Sequence, residues 1–387
     1  MEMWTDGTLV VQACESTGAV HVLRDSAVIG EAKSAHLGWK TPLAVDVASD
    51  RIWAGERLQE FRLSDVSLVA DHADHADRVA RVAALGGGRL AAVLPPVDGV
   101  CRLAVGQPGN WERDVVLDGL GPAASGLAAT DERPASRAVG GDPTLTATAH
   151  GLVVADGQRG VVAHFSPDLE LLGLWHSGGA DEAELTGYAT PRGVLVTARW
   201  AARDSRVGWL TSRGGEHLCH SYGAFAMPAD DERIWLVGDF EVQLLRHDGK
   251  PLASVPAQRG RVQAAHASGT SCAIGTTGSV QIATAGDDGI ATRAVGVGGL
   301  TDLVAIFDGS FDAGPRTLVM EVLARHSADN GCSFHESGDG QVHVLLRKVR
   351  PGSEDAVEQA VLAAGARRVD LADAARNREC CAGRLAP

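Results

Sequence analysis

Residues 144–175 read TLTATAHGLVVADGQRGVVAHFSPDLELLGLW, and the fold is decided there. Four short apolar runs alternate with polar turns, the signature of four strands joined by tight connections. The same order returns from Pro42 (PLAVDVASDRIWAGERLQEFRLSDVSLVAD) and from Arg78, Leu185, Gly223 and Val262. An incomplete copy opens the chain at Thr8, with strands two to four but hardly any strand one. The turns between second and third strands fall near Thr17, Arg57, Asp98, Gly157, Asp204, Asp239 and Thr277. Their spacings are 40, 41, 59, 47, 35 and 38 residues, and the outlier holds a Gly/Ala/Pro-rich insertion, Gly119–Gly141, that reads as a loop.

Four strands per unit of about 40 residues is the arithmetic of a propeller blade. One such sheet cannot bury both faces, so blades stack around an axis and cover one another. The expectation is an all-β, seven-bladed β-propeller over residues 1–307. Leu300–Phe307 (LTDLVAIF) is the candidate for the inner strand missing from the first copy.

Two stretches, Val154–Leu172 (VADGQRGVVAHFSPDLELL) and Val237–Leu252 (VGDFEVQLLRHDGKPL), carry a small residue after the second strand, a valine-rich third strand and an Asp-containing turn. In these the chain resembles propeller repeats of the NHL type, over roughly residues 8–307. No WD dipeptide closes the third strands, which disfavours WD40 repeats. The resemblance implies architecture and nothing about activity.

Residues 308–387 read as a small C-terminal α+β appendage, docked on the propeller but separable in stability. Its expected strands are Thr317–Ala324, Cys332–His335, Gln341–Arg350 and Arg368–Leu371, and its helix is Ser353–Ala364. The alternative is an eighth blade, since Val322–Arg347 aligns loosely with the repeat from Val262.

The 387 residues carry 35 basic and 49 acidic side chains, a net charge of −14. That balance argues against nucleic acid or an anionic membrane surface as partner and favours basic partners or a small molecule. No basic-then-apolar leader and no run of about 20 apolar residues stand in the chain, so the expected compartment is the cytoplasm. Seven scattered cysteines, an odd number, do not make a disulfide framework.

Connections from one blade's outer strand to the next blade's inner strand share a face with the second-to-third-strand turns. That face is expected to collect His36, Trp39, His72, His75, His176, His220 and Tyr222 from the first set, and Arg57, Arg159, Arg199, Trp200, Arg203 and Asp239 from the second. Imidazole and guanidinium groups converging on an axis suit an anion, a metal or a proton transfer. His176, His220 and Arg199 are the catalytic candidates. His36, Trp39, His72, His75, Arg159, Arg203 and Tyr222 are the ligand-binding candidates.

Metal-ligand residue types occur elsewhere. Asp71-His72-Ala73-Asp74-His75-Ala76-Asp77 reads as a solvated acidic loop. On an extended strand His217 and Cys219 share a face and His220 opposes them. Asp308–Gly314 resembles the start of a calcium loop but lacks the ligand at position 12 and reads as a linker. Cys332 and His335 are weak metal candidates, as are Cys380 and Cys381, whose Cys-Cys-Ala-Gly is similar to the thiol pair ending mercuric reductases. No cofactor is specified, and a divalent metal is the candidate.

Familiar hydrolase, NTPase and dinucleotide motifs are missing from the sequence. Two function classes follow. One is a binding propeller that presents a His/Arg-rich axial face to a small ligand or partner protein. The other is a lyase, isomerase or hydrolase of a small metabolite, metal-assisted or cofactor-light, with its site on the same face.

Overall fold

A computed structural model describes residues 2–371, apart from short segments of at most six residues and the stretch 126–142. Seven antiparallel sheets, each running from an inner to an outer strand in chain order, make a seven-bladed β-propeller. The blades span residues 2–33, 43–71, 81–116, 144–176, 184–222, 225–256 and 264–296.

Packing explains why one blade needs the next. Strand residues alternate between the two faces of a blade, and each face meets a neighbouring sheet. Val11 and Val22 of blade 1 share a cluster with Ile52 and Phe61 of blade 2. Met3, Val10 and Leu23 turn the other way and meet Ala273, Val280 and Ile282 of blade 7. Leu195 and Trp209 of blade 5 pack likewise on Ile234 and Leu236 of blade 6.

Polar side chains stitch the same seams. Thr144, Thr146 and Thr148 lie two apart on the inner strand of blade 4. Their hydroxyls donate to the carbonyls of Leu185, Gly187 and Ala189 on blade 5. Three indoles repeat one bond, each donating to a carbonyl of the following blade: Trp175 to Thr211 (3.0 Å), Trp209 to His247 (3.2 Å) and Trp235 to Gly269 (3.1 Å).

The ring closes differently from the sequence expectation. Blade 1 owns an inner strand, Glu2–Thr5, which pairs with Leu9–Cys14 from Glu2↔Ala13 to Thr5↔Val10. Four residues with a single apolar-to-polar alternation are too short a pattern to read. Thr5 N–H then donates to Nδ1 of His266 on blade 7 at 3.1 Å, across the closure. The strand expected to fill that place, Thr301–Asp308, pairs instead with Gln341–Val349 and Arg368–Leu371.

Those strands belong to a four-stranded antiparallel sheet ordered Cys332–Glu336, Gln341–Val349, Thr301–Asp308, Arg368–Leu371. With helices α1 (Ala313–His326) and α2 (Glu354–Ala363), the chain order is β-α-β-β-α-β, the split βαβ arrangement of ferredoxin-like folds. Val319, Leu323, Val357 and Val361 of the helices pack on Leu303, Ala305, Val344 and Leu346 of the sheet. An eighth blade is thereby ruled out, because Val322–His326 is helical.

Residues 317–324, expected as a strand, are the middle of α1. TLVMEVLA is rich in β-branched and apolar residues, but Val319 and Leu323, four apart, are its buried pair, which is the helical period. Asp312, within the segment resembling a calcium loop, caps α1 by accepting from Gly314 N–H at 3.2 Å. Within the 119–141 insertion, Ala124–Ser125 adds a fifth, parallel strand to blade 4 beside Trp175 and His176.

The pairing locates the cut between the two parts. A chain ending at residue 300 is expected to keep the far-UV β signal and cooperative unfolding of the ring. Ending it after Gly309 leaves the strand Thr301–Asp308 without its partners, and such a chain should aggregate more readily. Loss of all folded signal in the shorter chain would refute the division. No helix among the described residues is long and apolar enough to cross a membrane.

Candidate functional site

Seven inner strands surround one axial cavity of about 540 Å³, a volume ordinary for ligand pockets. Part of its polar lining comes from the beginnings of those strands. Glu2, Arg81, Thr144 and Glu184 are each the first residue of an inner strand, on blades 1, 3, 4 and 5. The connection ends where the strand begins, so successive blades deliver these side chains to one mouth.

Arg199 reaches the same place from the end of the second strand of blade 5. Strand pairing sets it opposite Glu184, and the two side chains form an ion pair. Its guanidinium also lies 4.1 Å from the ring centre of Phe225, the first inner-strand residue of blade 6. A carboxylate at its edge and an aromatic face below fix the fork in one orientation. Arg81 is buried and donates to the carbonyl of Ala80 at 2.5 Å.

His266 and Tyr188 also line the cavity. Burial pushes the His266 imidazole down to about 4, against a weaker upward pull from the Thr5 N–H bond. With Nδ1 accepting that bond, the ring is neutral and carries its proton on Nε2. Trp4 lies beside it, with ring centres 6.2 Å apart. Burial raises the Tyr188 phenol well above its ordinary range, and the Glu2 carboxylate adds to the effect. Tyr188 packs in the same apolar cluster as Ala265 and Ala267, the two neighbours of His266. Both groups are therefore uncharged donors at neutral pH.

Of the residues expected on this face, Arg199 lines the cavity. His176 and His220 lie at the ends of outer strands, Leu171–His176 and Gly214–Tyr222, and are not among the residues lining it. Both belong to the outermost strand of their blade, away from the inner strands that surround the cavity. His72 follows the outer strand of blade 2, where Nε2 meets Glu60 Oε2 at 3.0 Å, while Arg51 holds the other oxygen at 2.6 Å. Tyr222 ends an outer strand, and Cys332 and His335 lie on the strand Cys332–Glu336 of the C-terminal sheet. The side chains of these three lie outside the described residues, as do His36, Trp39, His75, Arg159, Arg203, Asp239, Cys380 and Cys381.

One expectation about faces is corrected by a bulge. Gly208 pairs with His217 but Val207 with Cys219, so Leu218 is an extra residue on its strand. The bulge changes the alternation, and the His217 and His220 rings approach to 4.4 Å instead of diverging. Burial lowers the pKa of His217, and His220 and Arg206 lower it further. Among the described residues no group of three or more His, Cys, Asp or Glu is arranged to hold a metal ion.

The sequence reading missed Glu2, Arg81, Glu184, Tyr188 and His266. A signal existed for two of them. Comparing the first position of each legible inner strand, instead of the residues leaving each outer strand, picks out Arg81 and Glu184 as charged residues opening apolar runs.

No family model matches the chain, and no curated protein matches it. Among solved structures it is similar to that of U3-55K, with a TM-score of 0.49 and 11% identity over 71% of this chain and 87% of that one. It is similar to the RRP9 WD40 repeats at a TM-score of 0.49 and 11% identity, over 71% of this chain and 86% of that one. A chain of a mitotic checkpoint complex gives 0.45 and 12%, over 80% of this chain and 89% of that one. These likenesses concern the fold alone. By its own ring of seven four-stranded units, the chain folds as a seven-bladed β-propeller.

Proposed function

We propose that this protein is a binding propeller that takes a small ligand in its axial cavity, with Arg199, Arg81, Glu2 and Glu184 at the mouth. One observation carries the reading: four blades each place a charged or hydroxyl side chain at the first residue of an inner strand, around a cavity of about 540 Å³. Charged side chains are expensive to gather in a half-enclosed space unless something uses them. On sequence grounds the repeats are taken as NHL-type and the compartment as the cytoplasm. The acidic net charge suits a basic protein partner on the outer faces.

The test is to fill the cavity. Ala83 lines it from blade 3, so Ala83→Trp should occupy space that a ligand needs. Wild-type protein incubated with a small-molecule extract and examined by native mass spectrometry is expected to retain bound species. Ala83→Trp, with an unchanged unfolding midpoint, is expected to lose them. Thr186→Trp, from blade 5, is a second plug should the first variant fold poorly. Equal retention by wild type and a folded plugged variant would place any ligand outside the cavity and end the reading.

A further inference from the structure

The chemistry of the cavity narrows the class of ligand, an inference that rests on the axial-cavity reading. Four side chains of formal charge line the mouth, two carboxylates (Glu2, Glu184) and two guanidiniums (Arg81, Arg199), and the formal charges cancel. Arg199 is already met by Glu184 at its edge and by Phe225 at its face. Arg81 is buried with its guanidinium on a backbone carbonyl. A ligand with a net charge would shed water here without finding a surplus opposite charge to replace it.

The uncharged groups point to something else. Nδ1 of His266 is engaged by Thr5 N–H, which leaves Nε2–H as the ring's available donor. Neither that Nε2–H nor the Tyr188 hydroxyl has a hydrogen-bond partner among the described residues. Both belong to residues that line the cavity. Trp4 from blade 1 and Phe225 from blade 6 add aromatic surface to the lining. The cavity thus offers donors without charge, carboxylate acceptors and flat apolar faces.

We propose that the axial cavity binds an uncharged, polyhydroxylated molecule of the sugar type, with the Tyr188 hydroxyl and the His266 Nε2–H donating to its oxygens. A pyranose matches each feature. Its hydroxyls accept from Tyr188 and His266 and donate to Glu2 and Glu184. Its C–H face lies on an aromatic ring. It brings no net charge into a site whose own charges balance.

The experiment uses the full chain and a defined panel. Glucose, galactose, N-acetylglucosamine, maltose and cellobiose are compared with succinate, citrate and glucose 6-phosphate by saturation-transfer NMR and calorimetry. At least one neutral sugar should bind, and the anions should not. Tyr188→Phe removes one oxygen and little else, and should weaken that sugar about 2- to 10-fold, the worth of one neutral hydrogen bond. Ala83→Trp should abolish its binding. If the anions bind and the sugars do not, the sugar class falls while the cavity remains a ligand site. If no sugar binds, yet the plug still strips extract-derived ligand from the protein, the result is the same. A sugar held equally by wild type, Tyr188→Phe and Ala83→Trp binds elsewhere, and overturns the proposal.

Discussion

Trp235→Ala is expected to cost about 3–5 kcal/mol of stability, which would leave many domains of ordinary stability partly unfolded. Trp235 is fully buried on the second strand of blade 6. Its indole packs among Met227 and Val237 of its own blade and Cys272 and Ile274 of blade 7. Its Nε1–H reaches the Gly269 carbonyl on blade 7 at 3.1 Å. Truncation removes contacts on both sides of one seam and leaves a cavity that two β-sheets cannot close by small shifts. The bond itself is the lesser part. Gly269 is exposed, so its carbonyl can turn to water, and Trp235→Phe should lose only about 1–2 kcal/mol. Urea unfolding of the three proteins at one pH separates the two contributions. A loss below about 1 kcal/mol in Trp235→Ala would mean that the seam is not where the ring's cohesion lies.

What the sequence disclosed, and what it hid, follows from how each feature is encoded. Blade strands such as Gly151–Asp156 and Val161–Phe165 are buried along nearly their whole length, so they read as unbroken apolar runs between turns. Repetition of such runs at about 40 residues was sufficient for the fold. Glu2–Thr5 was hidden because it is only four residues long and two of them, Glu2 and Trp4, are only partly buried and line the cavity. Helix α1 was hidden because β-branched residues prefer strands by local propensity, while the two positions that decide its packing, Val319 and Leu323, form only one helical repeat.

Of the residues singled out in the sequence, Arg199 lines the candidate cavity. Histidines at the ends of outer strands drew attention by residue type, yet topology keeps them at the rim. The cavity groups are ordinary residues in ordinary strands, and what distinguishes them is position around an axis. Tyr188 and His266 come from blades 5 and 7, with blade 6 between them in the chain. No spacing rule within one blade brings them together. The His217–His220 approach needed a bulge whose extra residue, Leu218, carries no sequence mark.

Acid should loosen the ring at its closure. His266 has a folded-state pKa of about 4 because burial disfavours the imidazolium, against 6.5 for an unperturbed histidine. The unfolded chain therefore takes up a proton as pH falls below 6.5, while the folded chain does not. Stability is full above 6.5 and drains away as pH drops toward 4, the sign for a histidine held neutral. From pH 7.5 to pH 5 this one group should remove about 2 kcal/mol. Burial also lowers the pKa of His21 and of His247, so the wild-type loss exceeds that of one residue. His266→Gln isolates its share: the variant is less stable at pH 7.5, but its stability should fall by about 2 kcal/mol less than wild type between the two pH values. Position matters as well as amount. Protonation of Nδ1 breaks the bond from Thr5 N–H, a contact that joins blade 1 to blade 7. Amide exchange in Glu2–Thr5 should accordingly speed up at pH 5 before exchange in the strands of blades 3 to 5. Uniform acceleration around the ring, or parallel pH curves for wild type and His266→Gln, would show that His266 neither senses the proton nor holds the seam.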